Sequence, residues 1–451
     1  MHLPAQTMTD APAYGQKPAP LDADSDALIP SRRETQIGVI LIAIFALLLL
    51  PKFLGHWAAD LAAVYVAGHM IATGQEALVY AASPGFFGDT PELWKPLVRE
   101  LAGAGQYAFP YIYPPIWAEL LAPLTKILTP QQFFNLFGVI HCAALAGSVW
   151  LAAKVARPHR MSLLAFLTIA LTVGYLTTPV QAAALFNQPT LITTFLTLLM
   201  LERLQSGRPV SAGVALAFAA AIKLTPALFI LVFLLDRNWR ALKAFALAGL
   251  ALALICFALS PRLSLEFLAL MPEVSAHSTI ARVNASILPA LATLAAAAGW
   301  MPAIEMQGNA FLLGADVYAL PMWITLLPKF LLVLCVLATW RIMAPAAPEL
   351  RRTGAALLIA LILPLFGPLG WLHYYVLPLL LLPMLAPALP RVVAVIGLIV
   401  LTIVNAPEMA VMIPALHADI PLHVMVTTGS WLATLVIAMI ALAKFARPRR
   451  G

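Results

Sequence analysis

The stretch QIGVILIAIFALLLLPKFL, Gln36–Leu54, carries one charge, Lys52, in its whole length. An apolar run of roughly 20 residues, folded as a helix, spans the ~30 Å hydrocarbon core of a bilayer. Runs of this kind recur almost to the C-terminus, and the composition follows them. Of 451 residues, 62% are hydrophobic and 10% charged, where a soluble domain carries ~25% charged residues. One soluble core cannot hide that much apolar surface. The composition excludes a soluble enzyme, a nucleic-acid-binding module and a disordered chain. It describes an all-α, polytopic integral membrane protein.

Arg32 and Arg33 stand immediately before this first span and predict a cytoplasmic N-terminus. The preceding tail within 1–35 is polar and rich in Pro, Ala and Asp, so it reads as disordered, with no cleavable signal pattern. After the span, residues 55–111 break the apolar pattern with Asp60, Asp89, Glu92, Lys95 and Arg99. They form a long outer loop, in which Asp60–Tyr80 has the spacing of a helix at the membrane surface. Further spans are expected at 112–128, 131–153, 161–178, 188–203, 211–235 and 243–260. A second outer loop, 261–320, carries Arg262, Glu266, Glu273, His277, Arg282, Glu305 and Asp316, and its apolar part, 285–299, is expected to be re-entrant or interfacial. The last spans are expected at 321–341, 353–370, 371–389, 391–407 and 421–445.

About twelve spans result: seven in a catalytic module, 36–260, and five in a C-terminal module, 321–451. The threading returns Arg447-Pro448-Arg449-Arg450 to the cytoplasm. It also leaves Lys154, Arg157, Arg160, Arg203 and Arg208 on the outer side, against the usual bias. The net charge of +7 sits mostly in short turns and at the C-terminus, which suits anionic lipid headgroups and not nucleic acid. Cys142, Cys256 and Cys335 fall in apolar segments without metal or redox spacing, so they read as buried free thiols.

Chemistry is expected where the two long loops meet the membrane. Asp60, in His56-Trp57-Ala58-Ala59-Asp60-Leu61, is a carboxylate in an apolar neighbourhood. It suits a general base or a cation ligand, or else an interfacial acid capping a helix. Tyr111-Ile112-Tyr113-Pro114-Pro115 opens the next segment as a stiff, aromatic helix start, and Glu119 is the second candidate carboxylate. Lys223, in Ala220-Ala221-Ile222-Lys223-Leu224-Thr225-Pro226, stands where an ammonium needs a phosphate or a carboxylate partner. His373, in Gly370-Trp371-Leu372-His373-Tyr374-Tyr375, falls at an outer turn. His277, Arg282, Asn284 and Ser286 form a polar group suited to a charged or hydroxylated ligand, and Asn284-Ala285-Ser286 is read as a chance glycosylation match. P-loop, dinucleotide and zinc patterns are missing from the sequence. An enzyme built this way draws its activated substrate from the membrane.

In combination these segments resemble glycosyltransferase family 87, within the GT-C superfold of enzymes that use polyprenyl-phosphate sugars. The resemblance starts at Asp60-Leu-Ala-Ala-Val-Tyr65-Val-Ala67, with Gly74 and Leu78-Val79-Tyr80. It continues through Tyr113-Pro114-Pro115, the Leu-Leu-Ala-Pro-Leu at 120–124, Asn187-Gln188, Arg208-Pro209, Ala212-Gly213 and Ala221-Ile222-Lys223-Leu224-Thr225-Pro226. Arg237-Asn-Trp-Arg240 closes it, and His373-Tyr374-Tyr375 is similar to the family's histidine segment. Two departures bear on acceptor identity more than on reaction type. The family's Gly-Gln turn is Asn187-Gln188 here, and the first outer loop is long, with no counterpart for 83–108.

The resemblance implies a GT-C-like membrane enzyme that transfers a sugar, typically mannose, from a polyprenyl-phosphate donor to an acceptor hydroxyl with inversion. The acceptor would be a glycolipid or glycan, with no cofactor and no metal. Asp60 matches the general base. Lys223 and His373 become candidates for the departing phosphate, with Tyr113, Gln188, Arg282 and Asn284 as further donor- or substrate-binding candidates. The inner membrane, with the site on its outer, periplasmic face, is the expected location. A transporter or flippase would share the spans and the intramembrane charges, but it usually shows matched halves, which a seven-plus-five division lacks. A polymerase or ligase of lipid-linked glycans would share the outer-loop chemistry.

Overall fold

The computed structural model describes residues 28–81, 90–276, 278–281, 283–301, 316–318, 320–407 and 420–446. The expected N-terminal tail through residue 27, and with it His277, Arg282, Glu305 and the Arg447–Arg450 cluster, lies outside the described residues. Almost everything described is helical, as a membrane chain requires, because a helix satisfies its own backbone hydrogen bonds. One short antiparallel ribbon departs from this: Ser278–Ile280 pairs with Asp316–Tyr318, Thr279 opposite Val317.

Helix α1 (Arg32–Leu49) starts on a Ser31 cap, whose hydroxyl accepts the Glu34 N–H at 3.1 Å. The chain then turns into α2 (Ala59–Ala72), α3 (Lys95–Ala102) and α4 (Pro115–Ile127) before entering the long α5 (Pro130–Val155). The bent pair α6 (Leu163–Leu176) and α7 (Thr178–Leu185) follows, at 61° to each other, and then α8 (Thr190–Gln205) and α9 (Pro209–Ile222). A 3-10 turn, Thr225–Phe229, leads to the short α10 (Ile230–Leu235), and α11 (Trp239–Leu259) and α12 (Pro261–Ala276) come next. Beyond lie α13 (Ile287–Ala297), α14 (Met322–Met343), α15 (Pro348–Phe366), α16 (Val376–Leu381), α17 (Arg391–Val404) and α18 (Ile420–Phe445).

Five helices among the described residues are long and apolar enough to cross a membrane, or six if the α6–α7 pair is one span. The protein is an integral membrane protein. The remaining expected spans coincide with helices that are shorter, more charged or broken.

Long-range hydrogen bonds fix two ends of the bundle. At one end, Leu28 N donates to His159 O at 3.0 Å, and Leu164 N donates to Glu34 Oε1 at 3.2 Å. Gln205 Nε2 donates to Thr353 Oγ1 at 3.0 Å, and that hydroxyl donates to Val155 O at 3.2 Å. Arg351 and Arg352 grip Asp236 at 2.6 and 2.7 Å, and Arg352 also reaches Leu204 O at 3.1 Å. At the opposite end, Gly55 N donates to Asn135 Oδ1 at 3.1 Å and His56 Nε2 to Leu185 O at 2.7 Å.

These contacts thread two segments differently from the hydropathy reading. α1 leaves the bundle and α5 enters it at the same end, so 56–129, including α4 where 112–128 was expected to span, makes no net passage. α4 has 13 residues, about 20 Å of helix. It packs instead on α2, beside a core of Tyr65, Trp94, Tyr111, Phe133 and Phe134. Conversely, 211–235 is not one pass. α9 rises from the Arg208 end, the helix breaks at Lys223, and the chain returns through α10 to Asp236 at the end it left. The basic turns at 154–160 and 203–208 thereby fall at the same end as Arg32 and Arg33. The conflict with positive-inside charge disappears.

Gly213 allows the α9 arm to lie close against α11. A Cβ there would stand 2.3 Å from Ala241 O and 2.7 Å from Phe245 N, so only glycine fits. All three cysteines are free, Cys142 buried and the other two half-buried.

Candidate functional site

A cleft with about 770 Å³ of open volume lies at the end away from the basic turns. Asp60, Tyr113, Gln188, Lys223 and His373 all line it, so five of the seven residues expected from sequence converge there from five separate segments. Arg282 is outside the described residues. Asn284 is fully buried and does not line the cleft. Its amide oxygen accepts the Gly370 N–H at 2.9 Å and the Ser286 N–H at 3.1 Å. With Leu372 N donating to Val283 O at 2.8 Å, it fastens the second loop to the 369–372 segment. The structure therefore places Asn284 in the wall of the site and not at its surface, and the same burial removes it as a glycan acceptor. Glu119 is likewise elsewhere, accepting from the Ser260 hydroxyl.

Asp60 sits in the first turn of α2, inside the helix, while Ala58 occupies the N-cap position without any side-chain bond. The capping explanation for this acid is gone. Phe109 N donates to Ala59 O at 3.3 Å, which brings the 107–113 stretch over the carboxylate. Gln188 Nε2 donates to Asp60 Oδ2.

Gln188 owes its place to a tight turn. Its N–H bonds Ala183 O at 2.9 Å and the Asn187 N–H bonds Ala184 O at 3.0 Å, the paired bonds that end α7 with a left-handed residue. That residue is Asn187, at φ 50°. Glycine and asparagine tolerate this conformation best, so Asn187 suits the position it holds, and a glycine would suit it equally. Here the Asn187 side chain adds an anchor: its amide nitrogen donates to Phe134 O at 2.8 Å, and its oxygen meets His141 Nδ1 at 2.5 Å.

Lys223 stands at the break after α9, with extended backbone at φ −151° and ψ 132°. Irregular backbone at such depth occurs where it lines a cavity. The ammonium lies 4.2 Å from the Tyr374 ring centre and 5.9 Å from that of Tyr113, and it donates to Thr190 Oγ1 at 3.3 Å. His373 packs edge-on against Tyr374 at 4.7 Å, and its buried Nε2 has no partner among the described residues. Phe109, Phe186 and Trp371 complete the aromatic lining.

Sequence reasoning missed Tyr374 and Thr190. Each stands within two residues of a chosen one, but only the fold shows which neighbour faces Lys223. Among the described residues, no three His, Cys, Asp or Glu side chains gather as metal ligands would.

Asp60 belongs to the segment outside the spans. Burial pushes its carboxyl up to about 6, opposed by the Gln188 hydrogen bond and the Lys223 charge, both of which favour the anion. A group that works as its anion is active above its pKa. Any activity that needs Asp60 as a base is therefore expected to rise with pH through about 6 and to level off above it. A pH series of kcat/KM checks this; a rate that is flat from pH 5 to 7.5 contradicts it.

The chain is similar to several known proteins. Over 253 residues the chain is 26% identical to a polyprenol-phosphate-mannose-dependent alpha-(1-2)-phosphatidylinositol mannoside mannosyltransferase from Mycobacterium tuberculosis. That alignment covers 53% of this chain and 58% of the relative. Among solved structures, ArnT from Cupriavidus metallidurans bound to undecaprenyl phosphate overlays 91% of this chain and 77% of its own, at 13% identity and a TM-score of 0.42. The profile of glycosyltransferase family 87 matches residues 111–368. That stretch is more than half of the chain and contains Tyr113, Gln188 and Lys223, three of the groups gathered around the cleft, so the protein belongs to glycosyltransferase family 87.

Proposed function

We propose that this protein transfers a sugar, mannose, from a polyprenyl-phosphate donor to a hydroxyl of a glycolipid or glycan, with inversion, at the outer face of the membrane. The observation that carries the reading is one half-buried carboxylate and one half-buried ammonium lining a single cleft, Asp60 and Lys223. Asp60 removes the acceptor proton while the acceptor oxygen bonds to the sugar's C1. The C1–O bond to the lipid phosphate breaks, and Lys223 and His373 stabilise the anion that leaves. The phosphate is already a good leaving group, so no strong acid is needed, and a lipid-linked donor makes a nucleotide or a resident metal unnecessary. Inversion needs a base and no second carboxylate nucleophile. Among the described lining residues Asp60 is the one carboxylate.

The charge distribution supports the outer face. Arg32, Arg33, Lys154, Arg157, Arg203, Arg208, Arg351 and Arg352 stand together at the end opposite the cleft, which positive-inside bias makes cytoplasmic. Counting the hairpin around Lys223 as two passes, and 112–128 as none, keeps about twelve passes of a GT-C-like bundle, seven before the second loop and five after it. Both termini then lie in the cytoplasm. The Mycobacterium tuberculosis relative, whose name specifies polyprenol-phosphate mannose, supports that donor.

Purified protein incubated with labelled polyprenyl-phosphate mannose and a membrane lipid extract is expected to yield a product one hexose heavier by mass spectrometry. Donor-independent flux of a polar solute in proteoliposomes, without any hexosylated product, would instead make it a transporter.

A further inference from the structure

The mechanism uses Asp60 and Lys223, and two side chains between them have no role in it. Thr190 and Gln188 are almost completely buried, at 6% and 2% exposure; Gln188 lines the cleft, and Thr190 lines the adjoining pocket that shares Lys223 and Tyr374 with it. Lys223 Nζ is 3.3 Å from Thr190 Oγ1, Thr190 Oγ1 is 3.4 Å from Gln188 Oε1, and Gln188 Nε2 bonds Asp60 Oδ2. The direction of this series is forced. An ammonium has three donors and no acceptor, so the threonine oxygen accepts from it. The hydroxyl's one proton then points at the glutamine oxygen. A glutamine held by its oxygen offers its NH2 to the opposite side, where Asp60 stands.

We propose that Thr190 is a positioning residue, which reads the Lys223 ammonium and fixes the Gln188 amide so that it donates to Asp60. The proposal rests on the reading of Asp60 as the base. The series holds Oδ2 and leaves Oδ1 for the incoming hydroxyl, and it ties the group that receives the phosphate to the group that takes the proton. A cation at one end of a line of like-directed hydrogen bonds strengthens each of them. The Asn187–His141 anchor keeps the glutamine's backbone from drifting while the amide turns. The other titratable groups facing Asp60 are His373 and Tyr374, from the turn before α16, and Tyr113, ahead of α4. Among the described residues, neither tyrosine nor His373 hydrogen-bonds the Gln188 amide, so neither replaces Thr190 there.

The test compares Thr190→Val, Thr190→Ser and Gln188→Met in the full-length protein, with polyprenyl-phosphate mannose as donor. Thr190→Val keeps the shape and removes the hydroxyl. It is expected to lower kcat roughly 10-fold, as the loss of one hydrogen bond to a charged group does, with donor KM nearly unchanged. The acid limb of kcat/KM should move to higher pH, because a carboxylate that loses a donor binds its proton more tightly. Thr190→Ser should restore both, and Gln188→Met should reproduce the shift by cutting the series at its next member. A merely structural threonine would lower the amount of active protein without moving the acid limb. An acid limb at its original pH in Thr190→Val overturns the proposal, and if that variant does not fold, the same result in Gln188→Met does so. Asp60→Asn run in parallel separates the two ideas. Its full activity would remove the base reading itself, whereas an inactive Asp60→Asn beside an unshifted Thr190→Val removes only the series.

Discussion

Asp60→Asn is expected to abolish sugar transfer while leaving the protein folded and able to hold its donor. The substitution keeps the shape of the side chain and one oxygen for the Gln188 Nε2 bond, but an amide has no basic lone pair to take the acceptor's proton. General-base groups contribute 10²–10⁴-fold, and in this cleft no second carboxylate among the described lining residues can stand in, so a loss of roughly 10³-fold or more is anticipated. Thermal unfolding in detergent should change little, since the variant removes a charge from a half-buried position and so relieves desolvation. The decisive measurement is single-turnover transfer with preloaded donor. If the variant turns over within a few-fold of the parent, Asp60 is not the base, and the cleft's chemistry must be assigned again.

Lys223→Met is expected to have the second largest effect, through the leaving group. The ammonium sits over Tyr374 at 4.2 Å and near Tyr113 at 5.9 Å, with Thr190 as its hydrogen-bond partner. It is the one cation among the described residues that line the cleft. Methionine fills a similar volume without charge. Removing a preorganised donor from a water-poor site costs about 10²–10³-fold in rate, and a fall of that order, roughly 10²-fold in kcat/KM for the donor, is expected here. A second signature goes with it. The Lys223 charge favours the Asp60 anion, so without it the carboxylate should protonate at higher pH, and the variant should lose proportionally more activity at pH 6 than at pH 8. Equal losses at both pH values would mean that the two groups do not sense each other. An unchanged dependence on donor would make the lysine structural.

The residues that line the cleft were more legible in the sequence than the path of the chain. Asp60, Lys223 and His373 stood out because an ionisable group in an apolar setting is costly, and Tyr113 and Gln188 because they fall in segments that resemble the family. Hydropathy reports apolar length and nothing about direction. It therefore could not separate α4, an apolar helix packed on α2 at one end of the bundle, from a crossing. It read α9 and α10 as one span because the break at Lys223 is extended backbone between two apolar runs, with no polar turn to mark it. The misplaced basic turns at 154–160 and 203–208 were the visible symptom. Asn284 looked like a ligand group because polarity was the available criterion, and its use in holding Gly370 is a fact of tertiary structure. Thr190 carried no signal at all, since a threonine in a membrane helix is ordinary until an ammonium is found beside it.

The way the cleft is assembled also bears on how such a protein can diversify. Asp60, Gln188, Thr190 and Lys223 are all delivered by helix starts or helix ends, held by packing such as the contact at Gly213 and the turn at Asn187. Phe109, Pro110 and Ile112, Ala281 and Val283, and Leu369 and Trp371 reach the same space from irregular segments between helices. Reactivity is thus inherited with the bundle, and recognition is inherited with the loops. On the proposed mechanism, substitutions and insertions in those loops can change which hydroxyl is admitted without disturbing the groups assigned to move the proton and receive the phosphate. The same scaffold can in this way be turned to new acceptors by small steps, each of which leaves a working enzyme behind it.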